Sequence, residues 1–147
     1  MNTDPRIQAL SRHLVCDVDD ITPSAYIDNG FDANGKEWLV LTDAEADESS
    51  RARVTEDLWA FNASFVIAHC NLDDSDAVVR AFTKMQEELC EDATPFVRAI
   101  IEGTVGLERF VSDAINADGR GHFLSQYDGE EVEEKVGDEY FYLYRLN

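Results

Sequence analysis

Four residues near the C-terminal third of the chain carry side chains suited to chemistry. Arg120, His122, Ser125 and Asp128 all lie between Asp118 and Gly129. Enzymes that hydrolyse bonds by nucleophilic attack use a hydroxyl that is activated by a histidine base, which a carboxylate orients. The spacing guarantees neither a hydrogen-bonded base nor oxyanion donors, and Ser125 lacks nucleophile-elbow glycines. Arg120, His122 and Asp128 are therefore weak catalytic candidates for a small enzyme.

The same segment is also typical of a structural corner, in which Arg120 and His122 bond nearby carbonyls and carboxylates. A helical pattern ends at Asp118, where Gly119 and Gly121 permit positive φ angles and so let the backbone leave the helix sharply. A dinucleotide fingerprint is excluded because these glycines follow a helix. A calcium loop numbered from Asn116 is disfavoured because it would place an arginine and a tyrosine where carboxylates are needed.

Nitrogen and sulfur ligands for zinc are present but poorly spaced. His13, Cys16, His69, Cys70 and Cys90 could supply a site if the fold brought them together. Free cysteines more often fill apolar helix faces, and three widely spaced cysteines do not indicate a disulfide framework. We therefore predict no metal and no cofactor.

The acidic balance is the strongest global feature of the sequence. The chain has 31 acidic and 12 basic residues among 147, a formal net charge of −19. Such a charge repels nucleic acid and anionic membranes, so direct binding to either is not expected. It would also oppose a Mg²⁺ nuclease built from Asp118, His122, Asp128 and Glu130. No apolar run approaches the length of a membrane span.

Several carboxylates recur at helical spacing or in short runs and could form a binding surface for a basic protein. Carboxylates on successive helix turns can approximate a row of phosphates, which suggests nucleic-acid mimicry. The alternatives are solvated helix faces or adaptation to high salt. The candidate binding residues are Glu45, Asp47, Glu48, Glu56, Asp57, Glu130, Glu131, Glu133 and Glu134.

The first half of the chain contains helix and strand signals in alternation. Asp4-Pro5 predicts a helix over 5–14, and an irregular strand is expected near 25–31. Residues 37–41 predict a buried strand. The capping box Thr42–Glu45 predicts a helix whose apolar stripe could reach His69.

The second half contains further helices before a terminal strand. Apolar spacing predicts a helix from Ser75 to Cys90, and Thr94-Pro95 opens another toward Ala117 that is either kinked or divided near Gly103 and Gly106. Residues 130–139 are too charged to bury, whereas 140–146 predict a strand.

These elements predict a single α+β domain spanning residues 1–147, with about four or five helices. We expect a small sheet in which the strand near 37–41 pairs with the C-terminal strand 140–146. The N-terminal residues lack the basic and apolar regions of a signal peptide, so a cytoplasmic location is expected.

Two motifs resemble small proteins of tailed bacteriophages and prophages. The first is Leu39-Val-Leu-Thr-Asp-Ala-Glu-Ala-Asp-Glu48 followed by Leu58-Trp-Ala-Phe-Asn62. The second is Asp118-Gly-Arg-Gly-His-Phe-Leu-Ser-Gln-Tyr-Asp-Gly-Glu-Glu131 with a terminal Tyr-x-Tyr-Arg-x-Asn. The resemblance spans residues 38–147 and implies a phage-encoded accessory protein in the host cytoplasm. It transfers no catalytic role.

The leading hypothesis is an accessory protein whose acidic surface binds a basic host or phage protein, such as a DNA-binding or defence protein. A small enzyme around Arg120, His122 and Asp128 is the second hypothesis. A structural subunit or homodimer, paired through the aromatic C-terminal strand, is the third.

Overall fold

The computed structural model describes residues 4–147, which divide into two compact units. The first, here called the sheet unit, comprises the described residues up to Ser50 together with Asp118–Asn147. The second, the helical unit, comprises Arg51–Ala117. The expectation of a single domain stays a prediction. Met1–Thr3, which formed part of the signal-peptide argument, lie outside the described residues.

Residues 4–147 form seven α-helices and five β-strands. The helices are α1 (Pro5–Leu14), α2 (Asp43–Glu56), α3 (Ala63–His69), α4 (Asp76–Leu89), α5 (Thr94–Thr104), α6 (Leu107–Asp118) and α7 (Arg120–Leu124). The strands are β1 (Ile21–Pro23), β2 (Gly30–Ala33), β3 (Lys36–Leu41), β4 (Val132–Val136) and β5 (Glu139–Arg145). The α+β class predicted from the sequence is confirmed, with more helices than the four or five expected and a larger sheet than the predicted pair of strands.

The five strands form one antiparallel sheet in the order β1-β2-β3-β5-β4. The predicted pairing of the strand near 37–41 with the C-terminal strand is confirmed, since Trp38 lies opposite Arg145 and Leu41 opposite Tyr142. The expected irregular strand near 25–31 is instead β2, and β1 pairs with it. Positive φ angles at Asn34 and Gly35 form the tight turn between β2 and β3.

Residues of β3 and β5 alternate between two faces of the sheet, and each face has its own apolar cluster. One cluster joins α1 to the sheet and contains Ile7, Leu10, Trp38, Val40, Phe141 and Leu143. The other joins α2 and α7 to the sheet and contains Leu41, Ala46, Leu124 and Tyr144. The sheet is therefore covered on both faces, and the start of α2 and the whole of α7 share one of them.

Both predicted helix starts in the sheet unit are confirmed by their caps. The Asp4 carboxylate accepts a hydrogen bond from the Arg6 backbone N–H at 2.9 Å. Thr42 and Glu45 form the reciprocal capping box, in which the Thr42 N–H donates to Glu45 Oε1 at 2.8 Å and the Glu45 N–H donates to Thr42 Oγ1 at 3.3 Å. The capping box thus fixes the position of α2 directly after β3.

The helical pattern that was expected to reach His69 is broken into separate helices. α2 ends at Glu56, and α3 starts after Asn62, whose side chain accepts from the Ser64 N–H at 2.9 Å. Buried Gln86 stabilises the intervening turn because its Nε2 donates to the carbonyls of Trp59 and Phe61 at 3.0 and 2.6 Å. A side-chain amide from a distant helix therefore satisfies the carbonyls that the break leaves free.

After residue 94, the structure decides between a kinked and a divided helix and adds one strand that was not predicted. α5 and α6 are two helices, because Gly106 lies between them at φ +89°. The acidic segment 130–139 was expected not to be buried, and it contains β4 as an edge strand. None of the helices formed by residues 4–147 combines the length and the apolar character needed to cross a membrane.

Candidate functional site

Arg120 is the centre of a carboxylate cluster in the sheet unit. Its side chain is only 13% exposed. The guanidinium donates through Nε to Glu131 Oε1 at 2.8 Å and through Nη1 to Asp43 Oδ1 at 2.9 Å and Asp47 Oδ1 at 3.2 Å. Asp43 and Asp47 are one helical turn apart at the start of α2. We call Arg120 with Asp43, Asp47 and Glu131 the Arg120 cluster.

Two tyrosines of β5 extend this cluster across the sheet. The Tyr142 ring lies 4.6 Å from the Arg120 guanidinium carbon, and its hydroxyl donates to Glu133 Oε2 at 3.1 Å. The fully buried Tyr144 donates its hydroxyl to Glu131 Oε1. Burial and this hydrogen bond to Glu131 raise the pKa of Tyr144 well above its usual value.

The charge state of Arg120 is fixed by its partners. Burial alone lowers the pKa of a guanidinium, but the hydrogen bonds to Glu131 and Asp43 outweigh it, so the pKa of Arg120 is raised above its already high ordinary value. Arg120 is therefore a permanent cation that neutralises part of the surrounding charge. Its Nε and Nη1 donors are used within the chain, which fits an organising role better than binding of an anionic substrate.

The two glycines around Arg120 serve different purposes. Gly119 has φ +84° and lets the chain turn from α6 into α7, as expected. Gly121 does not use this conformational freedom, because it lies inside α7. A Cβ atom there would lie 2.5 Å from the Gly129 carbonyl oxygen and 2.8 Å from the Glu130 carbonyl carbon. Gly121 thus permits the close approach that brings Glu131 to Arg120.

The remaining catalytic candidates do not form one site. Ser125 Oγ lies 2.8 Å from Asp128 Oδ1 and 2.9 Å from the Arg145 carbonyl oxygen. The His122 ring packs edge-on against Phe123 at 4.9 Å, and no hydrogen bond joins it to Ser125 in the described part of the chain. Ser125 therefore lacks the imidazole base that hydroxyl activation requires.

Asp128 is occupied by the structure of the turn in which it lies. The Glu130 N–H donates to its Oδ1 at 3.0 Å, and the Ser125 hydroxyl lies against the same oxygen. These two bonds lower the pKa of Asp128, with the Glu130 N–H the larger cause. A carboxylate with a lowered pKa is a weaker general base. The contacts among Ser125, Asp128 and the Arg145 carbonyl are those of the structural corner that was considered as the alternative to a catalytic site.

The nitrogen and sulfur residues considered for zinc lie in separate environments. His13 packs edge-on against Trp38, with ring centroids 5.3 Å apart. The His69 ring lies tilted against Phe65, with ring centroids 4.1 Å apart, and its Nδ1 lies 3.3 Å from Asp113 Oδ2. Cys70 is buried, Cys90 is exposed and Cys16 is partly buried. Within residues 4–147, no three or more His, Cys, Asp or Glu side chains converge as metal ligands would.

The nine candidate binding carboxylates fall into two groups. Five of them bond within the chain: Glu45 with Arg6, Asp47 and Glu131 with Arg120, Asp57 with Arg53, and Glu133 with Tyr142. Four have no side-chain partner among the described residues, namely Glu48, Glu56, Glu130 and Glu134. The side chains of the first group are held by these intramolecular bonds, whereas those of the second group can contact another protein.

Arg6 and Glu45 form a second, bidentate ion pair in the sheet unit. Arg6 Nη1 and Nη2 donate to the two oxygens of Glu45 at 2.7 and 3.0 Å, and Nη1 also donates to the Val40 carbonyl at 2.8 Å. The hydrogen bonds from Arg6 lower the pKa of Glu45 to about 2, against the smaller effect of burial. This pair links α1, β3 and α2.

The Arg6–Glu45 pair predicts a specific acid sensitivity. Because the folded pKa of Glu45 is about 2 and its ordinary value is 4.5, its stabilising effect is present above pH 4.5 and is lost as the pH falls toward 2. Urea unfolding at stepped pH should show that Glu45→Gln loses less stability than the wild type over this range. Glu108→Gln is the control, since Glu108 pairs with Arg51 while 86% exposed. Parallel acid profiles for the wild type and Glu45→Gln would contradict this prediction.

The charge is unevenly divided along the chain. The sheet unit contains 19 of the 31 acidic residues and six of the 12 basic ones, a net −13, whereas residues 51–117 have 12 acidic and six basic residues, a net −6. The two units are of similar length. The sheet unit is therefore the more strongly negative of the two, and it contains the Arg120 cluster.

Several participants in the Arg120 cluster were not identified from the sequence. Asp43 stands four residues before Asp47, and this helical spacing could have placed it on the same face. Tyr142 and Tyr144 share one face of β5 by strand alternation. Their link to Glu131 and Glu133 depends on the pairing of β4 with β5, and the residues of β4 carry no strong strand signal.

The chain was compared with protein-family models, with curated proteins and with solved structures, and none of the three matches it.

Proposed function

We propose that this protein acts by protein–protein interaction and that the acidic surface of its sheet unit binds a basic partner. The Arg120 cluster is the observation that carries the proposal. Its arginine is 13% exposed, whereas the side chains of Asp43 and Asp47 are 70% and 63% exposed. Carboxylates that are already held in place lose less conformational freedom when a cation binds, so such a surface is preorganised.

The unpaired carboxylates add charge beside this ordered cluster. Glu48 follows Asp47 on α2, and Glu130 precedes Glu131 on the segment that approaches α7. Exposed charge of one sign accelerates association with an oppositely charged protein and makes binding depend on salt. These features support a partner with clustered lysines or arginines.

The partner that we propose is a DNA-binding or defence protein, and the acidic surface would imitate nucleic acid. Asp43 and Asp47 present carboxylates on successive turns of α2, as a row of phosphates would. The resemblance of residues 38–147 to phage and prophage proteins supports an accessory role in the cytoplasm of an infected host. A nucleic-acid mimic must compete with DNA for its partner, which provides a direct test.

Two charge-matched variants test whether the sheet unit carries the interaction. The first combines Glu48→Gln, Glu130→Gln and Glu134→Gln, and the control combines Glu87→Gln, Glu91→Gln and Asp92→Asn in the helical unit. Each removes three charges from carboxylates without a side-chain partner among the described residues. The wild type and the control should capture a DNA-binding protein from host extract at low salt, and duplex DNA should displace it. The first variant should capture at least about tenfold less, equivalent to about 1.4 kcal/mol.

Equal losses in the two variants would contradict a specific surface and indicate nonspecific charge attraction. Capture that persists at high salt, or that duplex DNA does not reduce, would contradict mimicry. Circular dichroism should first show that both variants keep the wild-type helix content, because the replaced side chains make no hydrogen bond or ion pair within residues 4–147.

A further inference from the structure

The sheet ends in an open strand at β4. β5 pairs with β4 on one side, and no strand of residues 4–147 pairs on the other. The opposite edge, β1, is only three residues long and contains Pro23, which protects an edge from pairing. β4 has five residues and no proline. It is therefore the edge better able to accept another strand.

One contact shows which backbone groups of β4 point away from the sheet. Arg12 Nη1 donates to the Lys135 carbonyl oxygen, so this carbonyl does not face β5. Residues of an antiparallel strand alternate between bonding to their neighbour and facing outward. The N–H and C=O groups of Glu133 therefore face outward as well, and those of Val132, Glu134 and Val136 face β5.

The charges around this edge select the strand that could pair with it. Residues 130–139 contain six acidic residues and one lysine. Antiparallel pairing with a second copy of β4 would bring together two segments of like net charge, and the register that sets Glu133 opposite Lys135 would place Glu134 opposite Glu134, which is destabilising. A strand with lysines or arginines would instead place opposite charges across the new pair. The Arg12 contact shows that a guanidinium can reach an outward carbonyl of this strand.

We infer that β4 accepts an extended, arginine- or lysine-rich segment of the partner as a sixth strand of the sheet. The inference rests on the proposed function and specifies how the basic partner binds. The incoming backbone pairs with Glu133, and its cationic side chains meet Glu131 and Glu133 on one face and Glu134 on the other. To extend past Glu133, it displaces Arg12 from the Lys135 carbonyl.

Two synthetic peptides separate strand pairing from charge attraction. Both are seven-residue peptides of alternating arginine and valine, and in the second every backbone amide is N-methylated. Their charges are equal, but only the first can donate backbone hydrogen bonds. In a titration followed by NMR at low salt, the first peptide should bind at least about tenfold more tightly and should shift the amide signals of Glu131, Glu133 and Lys135.

A pair of variants at one position tests the same point from the protein side. Glu133→Pro and Glu133→Gln remove the same charge, but only proline removes the outward N–H, and it removes no backbone hydrogen bond to β5. Glu133→Pro should bind the first peptide about tenfold more weakly than Glu133→Gln does. The amide signals of β5 in both variants show whether the sheet is intact.

Equal binding of the two peptides would overturn strand addition and leave the proposed acidic surface in place. Shifts confined to other acidic segments, such as Asp17–Asp20, would also overturn it. If the captured partner binds the wild type and both Glu133 variants equally, the proposed function stands and the inference fails. If no DNA-binding partner is captured at all, the proposed function itself fails.

Discussion

Replacing Arg120 with alanine is expected to lower the free energy of unfolding by about 3 kcal/mol. The substitution leaves Asp43, Asp47 and Glu131 close together with no cation between them. It also removes the guanidinium that lies over Tyr142. The estimate is at the lower end of the range for buried ion pairs because the two α2 carboxylates are mostly exposed. Urea unfolding followed by circular dichroism measures the loss.

Arg98→Ala provides the matched control for this substitution. Arg98 forms an ion pair with Glu102 at 2.9 Å, and both side chains are about half exposed. Pairs of this kind contribute about 0.5 kcal/mol or less. If the two arginine substitutions destabilise the protein equally, the Arg120 cluster is not an organising feature of the sheet unit. Arg120→Lys should fall between the two, because an ammonium cannot reproduce the fork of donors.

Replacing Gly121 with alanine is expected to destabilise the protein by about 3 kcal/mol. The added Cβ would lie 2.5 Å from the Gly129 carbonyl oxygen and 2.9 Å from the Glu131 nitrogen. Both are backbone atoms, so no side-chain rotation relieves the overlap. The chain must move α7 away from the segment that carries Glu131, and the contact between Glu131 and Arg120 weakens. Trp38 fluorescence during urea unfolding, in a Trp59→Phe background, reports this loss from the sheet unit.

Gly103→Ala is the control for a glycine-to-alanine change within a helix. Gly103 lies in α5, and an added Cβ would meet no atom within 4 Å. Alanine has the higher helix propensity by about 1 kcal/mol, so Gly103→Ala should be neutral or stabilising. A Gly121→Ala protein as stable as the wild type would show that α7 and residues 129–131 do not depend on their close approach.

The parts of the fold that were predicted from the sequence are those with strong local signals. The Asp4 cap, the Thr42–Glu45 capping box and the β3–β5 pair all follow from nearby residues or from apolar strand patterns. β4 was not predicted because its centre, Glu133-Glu134-Lys135, has low strand propensity. An open edge tolerates such residues, since Glu133 and Lys135 remain exposed and Glu134 is only partly buried.

The candidate site was predicted only in part, because its residues come from distant parts of the chain and are brought together by the fold. The sequence identified Arg120 but placed it with His122 and Asp128, its neighbours in the chain. Its ion-pair partners Asp43 and Asp47 are more than 70 positions away and became neighbours only through the packing of α2 and α7 on the sheet. Gly121 was considered only for the backbone freedom of a glycine after a helix, whereas its role is a close backbone approach.

The salt dependence of binding tests the proposed acidic surface most directly. With a captured DNA-binding partner purified, its affinity for the protein is measured at stepped salt concentrations for the wild type and for the two charge-matched triple variants. We expect a steep fall in wild-type affinity with salt and a shallower fall for the Glu48, Glu130 and Glu134 variant. The helical-unit control should have the wild-type slope. An affinity that does not change with salt, or equal slopes in all three proteins, would contradict the proposed acidic surface.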